Sequence, residues 1–422
     1  MALSIFKRKE ENLSKYREDF PVLKRQIKNK PIIYLDNACM SLRPHQVIEK
    51  SNEYYEQFPG CAGRSNHQIA QEVEKATQEA RKKIAEFFGA ESAKCVVFTK
   101  NCTEAINLVA NGMRFQKGDV ILTSDKEHNS NLLPWLKLQN AGIIKHDFVE
   151  SAPENEFSLE NLEKKLRHHG GKVKLVAVVY TSNLDGVTAP VKEIVKLARE
   201  FGAKVLFDCA QAAQHHEIKL KKLGADFIAV SSHKLCGPNG VGALISTEKN
   251  LELLNQFIVG GETVKDSSLD GSYVPESIPE RFEAGLQNYP GIMGFGAALE
   301  YLEKVGIDNI QKHLLKLNEQ ATIGLSDVKG LQVLGPQLAA KRSGIYSFVL
   351  EGKKVHEVSL LLNNLHNIMV RSGAHCVHSW FNKPEQQRSV FKDGTVRASF
   401  GFYNTLEEVD TFVRAVKEIS RL

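Results

Sequence analysis

Lys234 stands between two short apolar runs, Phe227–Val230 and Val241–Ile245, joined through the Gly/Pro turn Gly237-Pro-Asn-Gly240. Runs of that length bounded by such a turn read as neighbouring buried strands. Ser231, Ser232 and His233 are short or neutral, and no acid adjoins the lysine. A lysine fixed at a strand end among uncharged groups is a candidate for a lowered pKa and for nucleophilic amine chemistry. Alone, the stretch reads first as a solvated lysine in a turn, because most lysines are exposed. Other residues change that weighting. Asp208 closes the apolar run Val205-Leu-Phe207, where a carboxylate is costly to bury unless a cation meets it. Thr99-Lys-Asn-Cys-Thr-Glu104 ends one strand and opens a helix, whose free N–H groups can hold a phosphate, although Thr103 also fits a plain N-cap. His128, Asn183 and Gln211 follow further strand ends. An amine for a Schiff base, an acid for a ring nitrogen and a phosphate cradle are the parts pyridoxal phosphate requires. Lys234, Asp208, His128 and the Thr103 loop supply them together.

A second cluster is Arg371-Ser-Gly-Ala-His-Cys376-Val-His378. Cys376 follows a strand and has Arg371, His375 and His378 beside it, which makes it the reactive-thiol candidate among seven cysteines. A buried, inert cysteine is the competing reading. A metal site at His375, Cys376 and His378 is weaker, since no fourth ligand stands at a usual spacing. Arg397, on the following strand, has the fork to grip a carboxylate.

These residues need a scaffold that gathers strand ends. From Cys95 the chain alternates strands (95–99, 120–124, 143–148, 175–181, 204–208, 227–231, 242–246) with helical patterns such as 103–113, 159–166 and 191–201. Near-continuous Val/Ile/Leu strands alternating with helices predict an α/β fold, a mainly parallel seven-stranded sheet covered on both faces. Its functional groups gather at the strands' carboxyl ends. After Ser246 a polar segment (266–279) leads into an apolar helix from Ile292. Strands and helices beyond residue 301 predict a smaller α+β unit. The expected division is an N-terminal arm (1–33) packing on the small domain, a large domain (34–300) and a small C-terminal domain (301–422) carrying the cysteine loop.

Composition bounds the partners. The chain has 422 residues, 42% hydrophobic and 25% charged, with a net charge of +5. That charge is spread out, which argues against nucleic acid as the main partner. No apolar run reaches spanning length, and Met1–Lys15 lacks an apolar signal core. The cysteines are scattered singly, without CxxC, as in reduced cytoplasmic proteins.

The ordered set Asp19-Phe-Pro-Val-Leu23, Tyr34-Leu-Asp36, Thr103-Glu-Ala-Ile-Asn107, Glu127-His128, Pro134-Trp135, Ser182-Asn183, Asp208, Ala210-Gln211-Ala212, His233-Lys234-Leu235, Gly237-Pro238, Arg281-Phe-Glu-Ala-Gly285, Arg371, His375-Cys376 and Arg397-Ala-Ser399 spans nearly the whole chain. With it the sequence resembles group II, SufS-like cysteine desulfurases, within the class V aminotransferases of fold-type I pyridoxal phosphate enzymes. The resemblance implies that Lys234 forms the cofactor Schiff base, His128 stacks on its ring and Asp208 pairs with its pyridinium nitrogen. Gln211 and Asn183 approach ring oxygen and substrate. Thr103, Ser231 and His233 match phosphate contacts, with Cys102 where a hydroxyl is usual. Arg397 matches the residue binding the substrate carboxylate, and Cys376 the nucleophile that takes sulfur from L-cysteine as a persulfide. Arg371, Asn37 and His67 match the mouth of the pocket. The resemblance further implies a homodimer, and a sulfur acceptor of the SufE or SufU type or an iron–sulfur scaffold. Ser232 replaces a usual glycine, Ala374 a usual histidine, and Leu286-Gln287 a usual Thr-Pro. The segment from Cys376 to Arg397 is longer than usual and, with Trp380-Phe381, reads as a lid or acceptor-docking element. A selenocysteine lyase, a cysteine or cystine C–S lyase or an epimerase shares this fold, and a non-catalytic cofactor-binding scaffold is the reading from another class. Retention of Lys234, Asp208, Cys376 and Arg397 together favours the desulfurase.

Overall fold

The computed structural model describes residues 13–422, apart from Arg64. Seven strands form one sheet in the order Val96–Thr99, Gly242–Ser246, Phe227–Ser231, Lys204–Asp208, Val173–Val179, Val120–Ser124, Lys145–Val149. Only Gly242–Ser246 runs antiparallel to its neighbours; the remaining pairings are parallel. Successive strand side chains point to opposite faces, so both faces must be covered. Val97, Ile121, Leu175, Leu206 and Leu244 pack with Cys102, Ile106, Val109 and Trp135 from helices Cys102–Gly112 and Asn129–Asn140. Their alternates Val96, Leu122, Val176, Val205 and Ile245 pack with Ile84, Ile194 and Phe295 on the other side. This double coverage is why these strands carry little polar alternation.

A second sheet, wholly antiparallel, has the order Leu331–Val333, Ile345–Leu350, Thr395–Ser399, Arg371–Gly373. Helices Ile307–Leu325, Val355–His366 and Leu406–Ile419 pack around it. Its Tyr346, Phe348 and Val396 join the same core as the large sheet. The N-terminal stretch bridges the two: strand Ile33–Tyr34 pairs in parallel with Ile368–Met369, and Phe20 stacks among Tyr301, Phe402 and Tyr403. Arg17 donates to Glu408 at 2.6 Å.

Two segments differ from the sequence reading. The polar stretch around 266–279 holds an exposed antiparallel hairpin, Val264–Ser267 with Tyr273–Pro275. The segment after Cys376, expected as a lid or acceptor-docking element, is anchored at its first turn: Trp380 and Phe381 are 2% and 3% exposed and pack on Leu184, Leu334 and Val377. Lys383 pairs with the buried Asp125 of the large sheet's side. Burying an indole and a phenyl ring holds that first turn to the core.

Candidate active site

The cleft lies where the carboxyl ends of the large sheet meet the second sheet. It is lined by Lys234, Asp208, His128, Gln211, Asn183, Cys102, Thr103, Ser231, His233, Arg371, Cys376 and Arg397, together with Cys39. Asp208 ends its strand at 3% exposure and accepts hydrogen bonds from Ala210 N (3.0 Å) and the Cys102 thiol (3.2 Å). Burial and Asp208 push the Cys102 thiol well up, so it stays protonated as the donor. Cys102, expected where a hydroxyl usually meets the phosphate, here donates its thiol hydrogen to the acid. Its backbone N–H donates to Ser231 Oγ at 2.8 Å, tying the helix start to the adjacent strand. The strands close tightly there: a Cβ on Gly242 would lie 2.7 Å from Asn101 Cα, so only glycine fits behind that loop. Asn101 caps the helix by accepting from Glu104 N at 3.0 Å. Thr103 Oγ1 lies 2.7 Å from Ser130 Oγ.

Lys234 is desolvated, which lowers its pKa; Asp208 opposes that shift and Arg397 adds to it. His128 is held neutral, at about 4, by burial and then by Lys234. Its Nδ1 accepts from Ser130 N at 3.1 Å, which orients the ring at the start of its helix. His233 is also neutral, at about 4, by burial. Gln211 donates to Ala38 O at 2.6 Å, and Asn183 to His375 O at 2.8 Å. Ser232 is fully buried against Gly237, whose hydrogen in place of a side chain makes room for Ser232 Oγ.

The second sheet contributes the other wall. Arg371 and Arg397 stand directly opposite each other in an antiparallel pair, an arrangement that is destabilising unless anions offset it. Asp36 supplies one, 3.3 Å from Arg397. Arg397 is 2% exposed and donates also to Asn183 O at 2.9 Å, yet its Nε has no partner among the described residues. A buried, unused guanidinium donor is costly and suits an incoming carboxylate. Cys376 and His375 both adopt left-handed backbone, at φ +61° and +51°, a strain characteristic of ligand-facing loops. The loop is pinned by Asn129 N donating to Cys376 O at 2.8 Å and by His375 Nε2 at 2.8 Å from Thr395 Oγ1. Arg371 reaches to within 3.9 Å of Cys376 Sγ. His378 instead meets Asn129 at 3.0 Å, so His375, Cys376 and His378 do not converge. Among the described residues no metal-holding group of three such side chains forms.

Two expected mouth residues lie elsewhere. His67 is exposed and caps helix Gln68–Phe88, accepting from Ala70 N at 3.3 Å. Asn37 is buried behind the wall, donating to Ser399 O at 2.7 Å and accepting from Tyr403. Both positions look like polar loop residues in sequence, and only tertiary packing separates them from the cleft. Sequence reading gave no role to Cys39, which lines the cleft, or to Asp36 and the buried Glu127, which support its walls. Glu127 accepts from Asn131 (2.7 Å), Val179 N (3.0 Å) and Ser124, and burial raises it to about 7. It ties together the strand ends behind Asp208.

An amine with a lowered pKa, a buried acid kept hydrogen-bonded, a neutral histidine face and a helix N-terminus fit pyridoxal phosphate. Lys234, Asp208, His128 and the Asn101–Thr103 turn are the residues that would hold it.

The comparisons agree with this geometry. A probable cysteine desulfurase of Pyrococcus abyssi is 39% identical over 406 residues, covering 96% of both chains. One from Synechocystis is 36% identical over 96% of this chain and 95% of the relative. Among solved structures, the apo cysteine desulfurase of Thermococcus onnurineus superposes with a TM-score of 0.89 at 38% identity, covering 96% of this chain and 98% of that one. The cysteine desulfurase CsdA of Escherichia coli, in an S-sulfonic acid form, gives 0.86 at 29% identity, covering 97% and 98%. The Aminotransferase class-V model matches residues 33–412, and the chain belongs to that family.

Proposed function

We propose that this protein is a pyridoxal-phosphate-dependent cysteine desulfurase that converts L-cysteine to L-alanine and takes the sulfur onto Cys376 as a persulfide. The observation that carries the reading is the convergence of Lys234 and Asp208 from one sheet with Cys376, Arg371 and Arg397 from the other in a single cleft. When bound, the cofactor supplies a Schiff-base carbonyl and an electron sink for the substrate's Cα. Arg397 grips the substrate carboxylate through its spare Nε. The Lys234 amine, with its lowered pKa, would carry the Cα proton on Nζ. His128, held neutral by burial, would face the bound cofactor's ring without adding charge. The Cys376 thiolate attacks the substrate sulfur: a new S–S bond forms, the Cβ–S bond breaks, and the carbon skeleton leaves reprotonated as L-alanine. Arg371 offers its guanidinium to the sulfur that bears charge.

In this reading residues 34–300 form the cofactor-holding unit and 301–422 the unit that presents the cysteine loop, with the arm before residue 34 latching them. The persulfide sulfur passes to an acceptor protein of the SufE or SufU type, or to a scaffold, for iron–sulfur assembly in the cytoplasm. The segment 253–286 exposes Leu253, Val259, Leu269, Val274 and Leu286, the last at 69%. Apolar groups exposed that densely support burial in a homodimer. The test is alanine release from L-cysteine with a reducing thiol present, wild type against Cys376→Ser. Alanine from wild type and almost none from the variant is expected. Pyruvate would sink the reading in favour of a C–S lyase, and undiminished alanine in the variant would sink it in favour of a lyase, such as a selenocysteine lyase, that needs no persulfide on Cys376.

A further inference from the structure

Cys39 lies in the turn after strand Ile33–Tyr34, half-buried, with its sulfur in the same cleft as Cys376. The remaining cysteines are placed differently. Cys95, Cys102, Cys209 and Cys236 are buried, and burial pushes up the Cys102, Cys209 and Cys236 thiols. Cys61 is exposed and lines no part of the cleft. Cys39 accepts a hydrogen bond from Arg371 at 3.0 Å, while the other terminal nitrogen of that guanidinium lies 3.9 Å from Cys376 Sγ. One planar fork therefore serves two thiols from opposite walls, 332 and 5 residues from it along the chain. A guanidinium's fixed width keeps the two sulfurs within roughly 9 Å of each other. A persulfide extends Cys376 by about 2 Å, and rotation about χ1 of either cysteine moves its sulfur by about 3 Å more.

We propose that Cys39 is a second sulfur-carrying thiol, loaded from Cys376; this rests on the desulfurase reading above. The Cys39 thiolate attacks the outer sulfur of the Cys376 persulfide. The S–S bond on Cys376 breaks, an S–S bond on Cys39 forms, and Cys376 leaves as a thiolate. The exchange has no net oxidation and requires no further reactant. Arg371 can hydrogen-bond the attacking and the leaving sulfur from one position, so the negative charge never loses its partner. The emptied Cys376 then accepts sulfur from another L-cysteine before any acceptor protein arrives.

The holoenzyme is incubated with about three equivalents of L-cysteine and no other thiol, alkylated and digested, and persulfides are located by peptide mass spectrometry alongside a total sulfane-sulfur assay. Wild type is expected to carry sulfane sulfur on both Cys376 and Cys39. Cys39→Ser, and independently Cys39→Ala, lower the load about twofold while the Cys376 peptide stays persulfidated, which also shows that the variant is folded. Cys376→Ser abolishes both. A load confined to Cys376 and unchanged in either Cys39 variant would overturn the relay. So would a persulfide on Cys39 in Cys376→Ser, which means direct attack on substrate. No persulfide on either residue in wild type removes the desulfurase reading itself, and the relay with it.

Discussion

Replacing Arg397 by lysine keeps the charge and removes the fork. In the structure the guanidinium already donates to Asn183 O at 2.9 Å and approaches Asp36 at 3.3 Å, while its Nε is unpaired. A lysine has one nitrogen at the end of its chain and cannot meet Asn183, Asp36 and a forked carboxylate together. The loss is then about one charge-assisted hydrogen bond to substrate, roughly 1.5–3 kcal/mol. At about 1.4 kcal/mol per decade that is a roughly 10- to 150-fold weakening. The assay is a titration of cofactor absorbance with L-cysteine in a Cys376→Ser background, where substrate binds without being consumed. The same titration with cysteamine, which lacks the carboxylate, is the control. L-Cysteine should weaken by the stated factor and cysteamine by less than about twofold. Equal losses for both ligands would refute the assignment of Arg397 to the carboxylate, because then the substitution acts on the cleft as a whole.

Two further predictions concern the supporting structure. Glu127 is raised from 4.5 to about 7 by burial, so the folded state binds its proton more tightly than the unfolded chain. Its contribution is complete below the unfolded pKa and fades as pH rises toward the folded value, about 3 kcal/mol across the interval. Glu127→Gln should flatten urea-derived stability between pH 5 and 8 by about that amount relative to wild type, and identical pH profiles would contradict it. Trp380 is 2% exposed among Leu184, Leu334, Val377 and Phe381. Trp380→Ala should cost about 3–5 kcal/mol in urea unfolding, whereas a change under about 0.5 kcal/mol, typical of surface positions, would restore the lid reading.

The large sheet was legible because its strands, apart from the polar edge strand Lys145–Val149, are apolar on both faces and its helices amphipathic. Their ends fall within a few residues of those expected. Lys234 and Asp208 could be placed at adjacent strand ends because a parallel sheet with short turns fixes that neighbourhood. Strand Arg371–Gly373 was not legible: three half-buried residues with no apolar alternation carry no periodic signal, and they become a strand only by pairing with Thr395–Ser399. Cys39 was missed for a related reason. Its partner Arg371 lies 332 residues away, and in sequence it is one small residue in a turn. Cys102 was placed at the right helix, but its bond to Asp208 was not foreseen, since its side chain direction depends on the register between two strands. His67 and Asn37 show the converse: a polar residue in a loop serves as readily to cap a helix or pin a strand as to line a cleft.

The most direct test is a single turnover with L-cysteine isotopically labelled at sulfur, holoenzyme in excess and no reductant present. The account predicts one L-alanine released for each label retained by the protein, the label entering at Cys376 and absent from Cys376→Ser. Pyruvate with the label in free sulfide, or alanine with no label on the protein, would contradict it.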